Sequence, residues 1–284
     1  MKGHIVTAID ALHTPVSVVE YAAHLSRQLN AHLLLYDVEF AASPFRVTTA
    51  DIADPADLQI VDPELLQAKG KARLEELVKT AKQIAAHVEH EHEVGFVGTR
   101  IVERMAQLDD VPRDDKMLIL TREENTGFLD EVFGTATSDI VKSVECPVLV
   151  VPRESAYRPL EHLLYIIEHG KLEPENVDYL AQIARYTDAH ISVVYLTDKD
   201  NSYSTEELEI KKFNIQQEVD YERINFYRYF VTEAFEGIQE VAGKNGVDLV
   251  GISRHNKGFF TRLFGDHENT NAYILQSPVP ILLF

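Results

Sequence analysis

His90 and His92 sit two residues apart among three glutamates, in the run HVEHEHEV. On a strand, side chains alternate between faces, so both histidines share one face and Glu89, Glu91 and Glu93 share the other. Two imidazoles on one face begin a zinc site, which needs at least a third ligand. No cysteine pair and no His-x3-His helix in the sequence completes it. A solvated strand, polar on both faces, is the simpler reading. Cys146 is the single cysteine and just precedes an apolar run. No activating base is nearby in sequence, so it reads as a packed thiol rather than a nucleophile. YERINFYRYF interleaves aromatic and basic residues as a base-stacking platform would. Its alternation within an acidic chain suits an ordinary sheet strand better. The chain has no G-x-S-x-G, H-E-x-x-H or Walker A lysine motif. What stands out is an acid directly after an apolar run: Asp10 after HIVTAI, and Glu168 after LLYII.

The charge balance excludes whole classes of partner. The formal net charge is −19. Residues 1–152 carry 14 basic against 25 acidic side chains, and residues 153–284 carry 13 against 21. Both halves are acidic, which argues against binding nucleic acid, where basic clusters must displace counterions. It argues equally against an anionic membrane surface. No apolar run approaches the roughly 20 residues of a membrane span. One cysteine allows no intrachain disulfide, which suits a reducing compartment. The expectation is a cytoplasmic protein.

The elements that position these residues follow from periodicity. HIVTAI is short, β-branched and apolar, hence a buried strand. Thr14-Pro15 predicts a helix N-cap with proline at the first helical position. The apolar spacing from Val18 to Leu29 predicts the helix itself, ending at Asn30. HLLLYDV (32–38) is a second strand, so strand, helix and strand form a right-handed parallel βαβ unit. Residues 39–61, polar and small with two prolines, read as an irregular insertion. Asp62-Pro63 starts a long helix. Strands at 87–97, 116–121 and 147–151 alternate with helices at 99–108 and 136–144.

The second half repeats this order. Strands are predicted at 163–167, 190–196, 223–231, 248–253 and 280–284. Helices are predicted at 174–186, 205–218, 233–243 and 268–275. GFLDEVFG (127–134) and GFFTRLFG (258–265) share a pattern at an offset of 131 residues, and Pro147 and Pro278 keep that offset. Asp10 and Glu168 lie 158 apart. The difference is about the size of the insertion, so one five-stranded domain is predicted twice. The domains are 1–152, carrying the insertion, and 153–284, joined by a linker near 152–162 that holds two prolines.

Five alternating βα elements, an acid closing the first strand and a last strand introduced by CPVLVV resemble the universal stress protein family. The resemblance covers nearly the whole chain as a tandem pair. It implies two open five-stranded parallel sheets of α/β, doubly wound, Rossmann-like type. The last strands of the two domains would pair antiparallel, making an intramolecular pseudo-dimer. Nucleotide-binding members carry glycine, two residues, glycine, nine residues, then glycine and a hydroxyl residue. The first two glycines let backbone amides approach phosphate or ribose. The last pair sits at a helix N-terminus that favours anions. On this sequence the first copy reads Thr121, Glu124, Gly134 and Thr135, with Asp10 matching the family's acid. The second reads Ile252, His255, Gly265 and Asp266, with Glu168 in place of the aspartate. The resemblance thus makes Asp10, Gly134 and Thr135 the candidate cofactor-binding residues. Gly134, Thr135, Gly265 and Asp266 also have plain roles as turn residues and helix caps.

Three functions follow. The first is a non-enzymatic stress-response or regulatory protein without a cofactor, its nucleotide motifs degenerate, acting through protein partners or a further homodimer. The second is a sensor of ATP or a related nucleotide. It would use the first copy, with Arg122, Asn125 and Thr126 as added contacts and residues 39–61 as a lid. The third is an enzyme of the ATP-pyrophosphatase kind. That one needs a Ser-Gly-Gly type phosphate loop after the first strand, where this chain has DALHTP and EHGKLEP.

Overall fold

A computed structural model describes residues 3–40, 63–122, 134–168, 173–197, 204–230, 246–254 and 279–284. The five strands of the first half are β1 (His4–Ile9), β2 (His32–Phe40), β3 (Val88–Gly95), β4 (Lys116–Arg122) and β5 (Val148–Pro152). Those of the second half are β6 (His162–Glu168), β7 (His190–Thr197), β8 (Ile224–Phe230), β9 (Leu249–Ile252) and β10 (Ile281–Leu283). The described helices are α1 (Val16–Leu29), α2 (Pro63–Ile84), α3 (Val97–Ala106), α4 (Gly134–Ser143), α5 (Pro174–Thr187) and α6 (Ser204–Glu218). The expected helices at 233–243 and 268–275 lie outside the described residues, as do residues 41–61 of the insertion expected at 39–61.

All ten strands join one sheet in the order β3-β2-β1-β4-β5-β10-β9-β6-β7-β8. Each half therefore has the same internal order, and the halves meet last strand to last strand. Val148, Leu149 and Val150 of β5 pair antiparallel with Leu283, Leu282 and Ile281 of β10. Every other pairing is parallel. The antiparallel junction expected from the family resemblance is present, and among the described residues it leaves β3 and β8 as the two edges.

Alternation along the strands divides the core. Ile5, Leu33, Leu35, Met117, Ile119, Leu163 and Ile191 pack with α1, α2, α5 and α6 in one continuous cluster spanning both halves. Val6, Tyr36, Leu118, Val148 and Ile281 face the other side, where α3 and α4 contribute Ile101, Met105, Ile140 and Val141. Helices on both faces account for the near-continuous apolar runs of the central strands.

Several boundaries differ from expectation for local reasons. α1 begins at Val16, with Pro15 at the N-cap and no side-chain cap bond. The Thr14 hydroxyl is engaged elsewhere, accepting the backbone N–H of Asp10 at 2.9 Å. Asn30 closes α1 in the left-handed conformation (φ 51°), which asparagine tolerates better than most residues. β2 extends to Phe40, so Glu39 is a strand residue rather than the start of the insertion. The segment between the domains is packed down. Tyr157 stacks on His24 and meets Tyr21 edge-on, and its hydroxyl bonds to Gln28.

Register also apportions the extra length of the first half. Ile9 pairs with Asp37 as Ile167 pairs with Tyr195, an offset of 158. Asp37 pairs with His92 as Tyr195 pairs with Arg228, which puts the offset at β3 at 136. The extra residues between β2 and β3 therefore number 22, and α2 takes part of them, with 22 residues against 15 in α6.

Candidate functional site

The carboxyl ends of β1, β2 and β3 open under α2 into a cavity of about 610 Å³. Parallel strands deliver their carboxyl ends to one rim of the sheet, which is where open α/β sheets hold ligands. The face is set by phase. Asp37 and Glu39 continue the Leu33–Leu35 side of β2, and His90 and His92 continue the Val88 side of β3. The two histidines share a face, as the alternation implied.

Asp10 lines the cavity and organises the turn after β1. Its Oδ1 accepts the N–H of Leu12 at 2.9 Å, and its Oδ2 lies 2.8 Å from His13 Nδ1. Its backbone oxygen accepts from His13 and Thr14. Asp37 is the most deeply set acid of the site, with a side chain only 5% exposed. Burying a carboxylate requires partners. Oδ1 accepts the Ala11 N–H at 2.8 Å, and Oδ2 sits 2.8 Å from His92 Nδ1. A carboxylate only accepts, so Nδ1 carries the hydrogen. His92 Nε2 then faces Glu39 Oε2 at 3.7 Å. On the opposite face, Arg104 donates twice to Glu91, at 2.7 and 3.1 Å, and Arg100 lies 3.6 Å from Glu93. The HVEHEHEV strand thus divides its work. Histidines meet the cavity and glutamates anchor α3.

The cavity wall is acidic. Among the described residues, Asp10, Asp37, Glu39, Glu64 and Glu75 line it against one lysine, Lys71. Among the described lining residues there is no serine, threonine, cysteine or tyrosine to act as a nucleophile. No group of three His, Cys, Asp or Glu side chains converges as a metal site among the described residues. Cys146 is buried on the far side of the sheet, and burial pushes its thiol up while Arg254 and Lys116 pull it down. It is a packed thiol.

Of the three residues expected to hold a cofactor, only Asp10 is among the lining residues of this cavity. Gly134 is the first residue of α4 and Thr135 the second, on the helix that follows β4. Their side chains, and Glu124, Asn125 and Thr126, lie outside the described residues. So do the GF…FG stretch before α4, and His255, Gly265 and Asp266 of the second copy. Strand register revises one correspondence. Thr7 pairs with Ile119 as Tyr165 pairs with Gly251, so Thr121 matches Ser253 rather than Ile252. The Ser253 hydroxyl donates to Glu173 at 2.7 Å.

Asp37 was missed by sequence reasoning. An acid inside the apolar run HLLLYDV was the available signal. Glu39, Lys71 and Glu75 gave none, because their convergence depends on how α2 lies on the sheet.

A model of the universal stress protein family matches residues 1–152, more than half of the chain. The chain belongs to the universal stress protein family. Solved structures agree on the fold. A universal stress protein from Archaeoglobus fulgidus DSM 4304 superposes with a TM-score of 0.68 at 10% identity, covering 100% of this chain and 98% of that one. A protein of Pseudomonas aeruginosa UCBPP-PA14 assigned to the universal stress proteins gives 0.57 at 15% identity, covering 100% and 92%. The cytoplasmic domain of a prokaryotic cation chloride cotransporter gives 0.57 at 10% identity, covering 100% and 95%. At such identities these likenesses speak to architecture alone. No curated protein sequence matches the chain. No helix among the described residues is long and apolar enough to cross a membrane.

Proposed function

We infer that this universal stress protein is a non-catalytic, cytoplasmic stress-response regulator with degenerate nucleotide motifs. In this reading the domains 1–152 and 153–284 form a built-in dimer that acts through protein partners. The carrying observation is the acid wall at the carboxyl rim of the first half. A phosphate cradle needs glycine backbones and cations, and the described residues of this cavity present five carboxylates against Lys71. Opposed charge of that kind costs kilocalories once water is partly excluded. The described lining residues also offer no serine, threonine, cysteine or tyrosine as a nucleophile for covalent chemistry.

One observation favours a second reading, that of a nucleotide sensor. α4, the helix that follows β4, begins with Gly134 and Thr135, and a helix N-terminus favours an anion. Asp10 stands at the end of β1 on the same rim. Isothermal titration with ATP and magnesium separates the two. The regulator reading expects no binding heat at millimolar nucleotide. Saturable binding at one site per chain, abolished by Gly134→Val, would replace it with the sensor reading.

A further inference from the structure

We propose that the cavity of the first half binds a linear polyamine, an extended chain with two or more ammonium groups. The cavity has the volume of a small-molecule site, within the roughly 300–1,000 Å³ that such pockets occupy. Its carboxylates do not converge on a point, as a metal ion would require. They are strung out instead. Glu64 and Glu75 lie on α2, 11 residues apart, which at the helical rise is roughly 16 Å. Asp37 and Glu39 face them from β2. Leu12, Ala68 and Leu74 supply apolar wall between the charges. Carboxylates spaced along an elongated, partly apolar wall suit ammonium groups spaced along methylene chains.

The second half supplies an independent observation. At the register position of Asp37 it has Tyr195, and at that of His92 it has Arg228. There Lys211, from the helix that follows β7 as α2 follows β2, places its ammonium 4.5 Å from the centre of the Tyr195 ring. The second repeat therefore shows an alkylammonium seated at this point of the fold, held there by the protein's own side chain. In the first repeat the corresponding strand position is the buried Asp37 on the cavity wall, a carboxylate already bonded to Ala11 and His92 whose charge faces the same space. The second repeat, with Arg228 and Lys211 in place, repels a free polyamine, so one site per chain is expected.

The test is thermal unfolding and isothermal titration of the full chain with spermidine at constant ionic strength. A single saturable site is expected, with weaker binding of putrescine and no comparable shift from magnesium chloride. The Glu39→Gln/Glu75→Gln variant should bind spermidine roughly five- to ten-fold more weakly, the loss of two partly exposed ion pairs. A Glu145→Gln/Glu154→Gln control removes two exposed carboxylates that do not line the cavity, and should bind as the parent does. Magnesium acting as strongly as spermidine, binding without saturation, or equal losses in both variants would overturn the proposal, since each means general screening of an acidic protein. The ATP titration uses a different probe, so the nucleotide readings stand or fall separately.

Discussion

Arg254 follows β9 in the second half, where its backbone N–H donates to the Phe284 carbonyl, yet its side chain bonds to the first half. Its guanidinium donates to the backbone oxygens of Val141, Val144 and Cys146, at and beyond the end of α4. The last carbonyls of a helix have no intrahelical donors and carry the negative end of the helix dipole. A planar fork of five donors suits several carbonyls at once, which one ammonium cannot match. Arg254→Ala should therefore destabilise the protein by about 2–3 kcal/mol, by loss of charged hydrogen bonds and of the dipole interaction. Arg254→Lys should recover only part of this. Urea unfolding of the two variants measures both.

At the scale of elements, the two halves fill the same space with different side chains. Around one point of the sheet, the first half places Thr7, Ile119 and Val151, and the second places Tyr165, Gly251 and Phe284. The aromatic rings take the volume that isoleucine takes in the first half. Phe284 meets Tyr165 and Tyr179 edge-on, with centroids 5.8 and 5.7 Å apart. A Cβ on Gly251 would lie 3.1 Å from Phe284, 3.2 Å from Tyr165 and 3.3 Å from Leu180, all of them packed in the core. Gly251→Ala should cost about 1–3 kcal/mol through overpacking. Gly251→Ala/Phe284→Leu should regain part of that, and a double-mutant cycle by urea unfolding reads the coupling.

At the scale of the molecule, one sheet and a core cluster on each of its faces tie the halves together. Arg113 donates to Asn176 across the junction at 3.0 Å, and the Tyr179 hydroxyl reaches the Lys116 carbonyl at 3.4 Å. Tyrosines recur in that shared core, and burial raises the phenol pKa of Tyr21, Tyr165 and Tyr179 well above its ordinary value. Burial pushes Tyr157 up to about 12. A raised phenol pKa means that the folded state keeps its proton where the unfolded state loses it. The stabilisation is complete below about pH 10, the unfolded value. It is lost as pH climbs from there through the folded values. Stability should thus fall steeply above about pH 10, with the phenolate absorbance of the buried tyrosines and the loss of circular dichroism rising together. Ionisation of the buried Tyr21, Tyr165 and Tyr179 well before the structure unfolds would contradict this.

Much of this was legible in the sequence. Period-two and helical spacing, the turn residue Asn30 and the recurrence of the same order of elements identify ten strands and a duplicated α/β fold, because these are local preferences written in adjacent residues. The acid after the first strand and the alternation of HVEHEHEV are local in the same sense. The family resemblance carried the junction of β5 with β10. Tertiary structure alone decided the rest. The Asp37–His92 pair joins residues 55 apart, and Arg254 reaches carbonyls more than 100 positions away. The cavity depends on where α2 crosses the strand ends, and the Thr121–Ser253 match depends on strand register. Contacts between distant segments leave no periodic trace in either partner. They come into being only when the sheet brings the carboxyl ends of its strands to one rim.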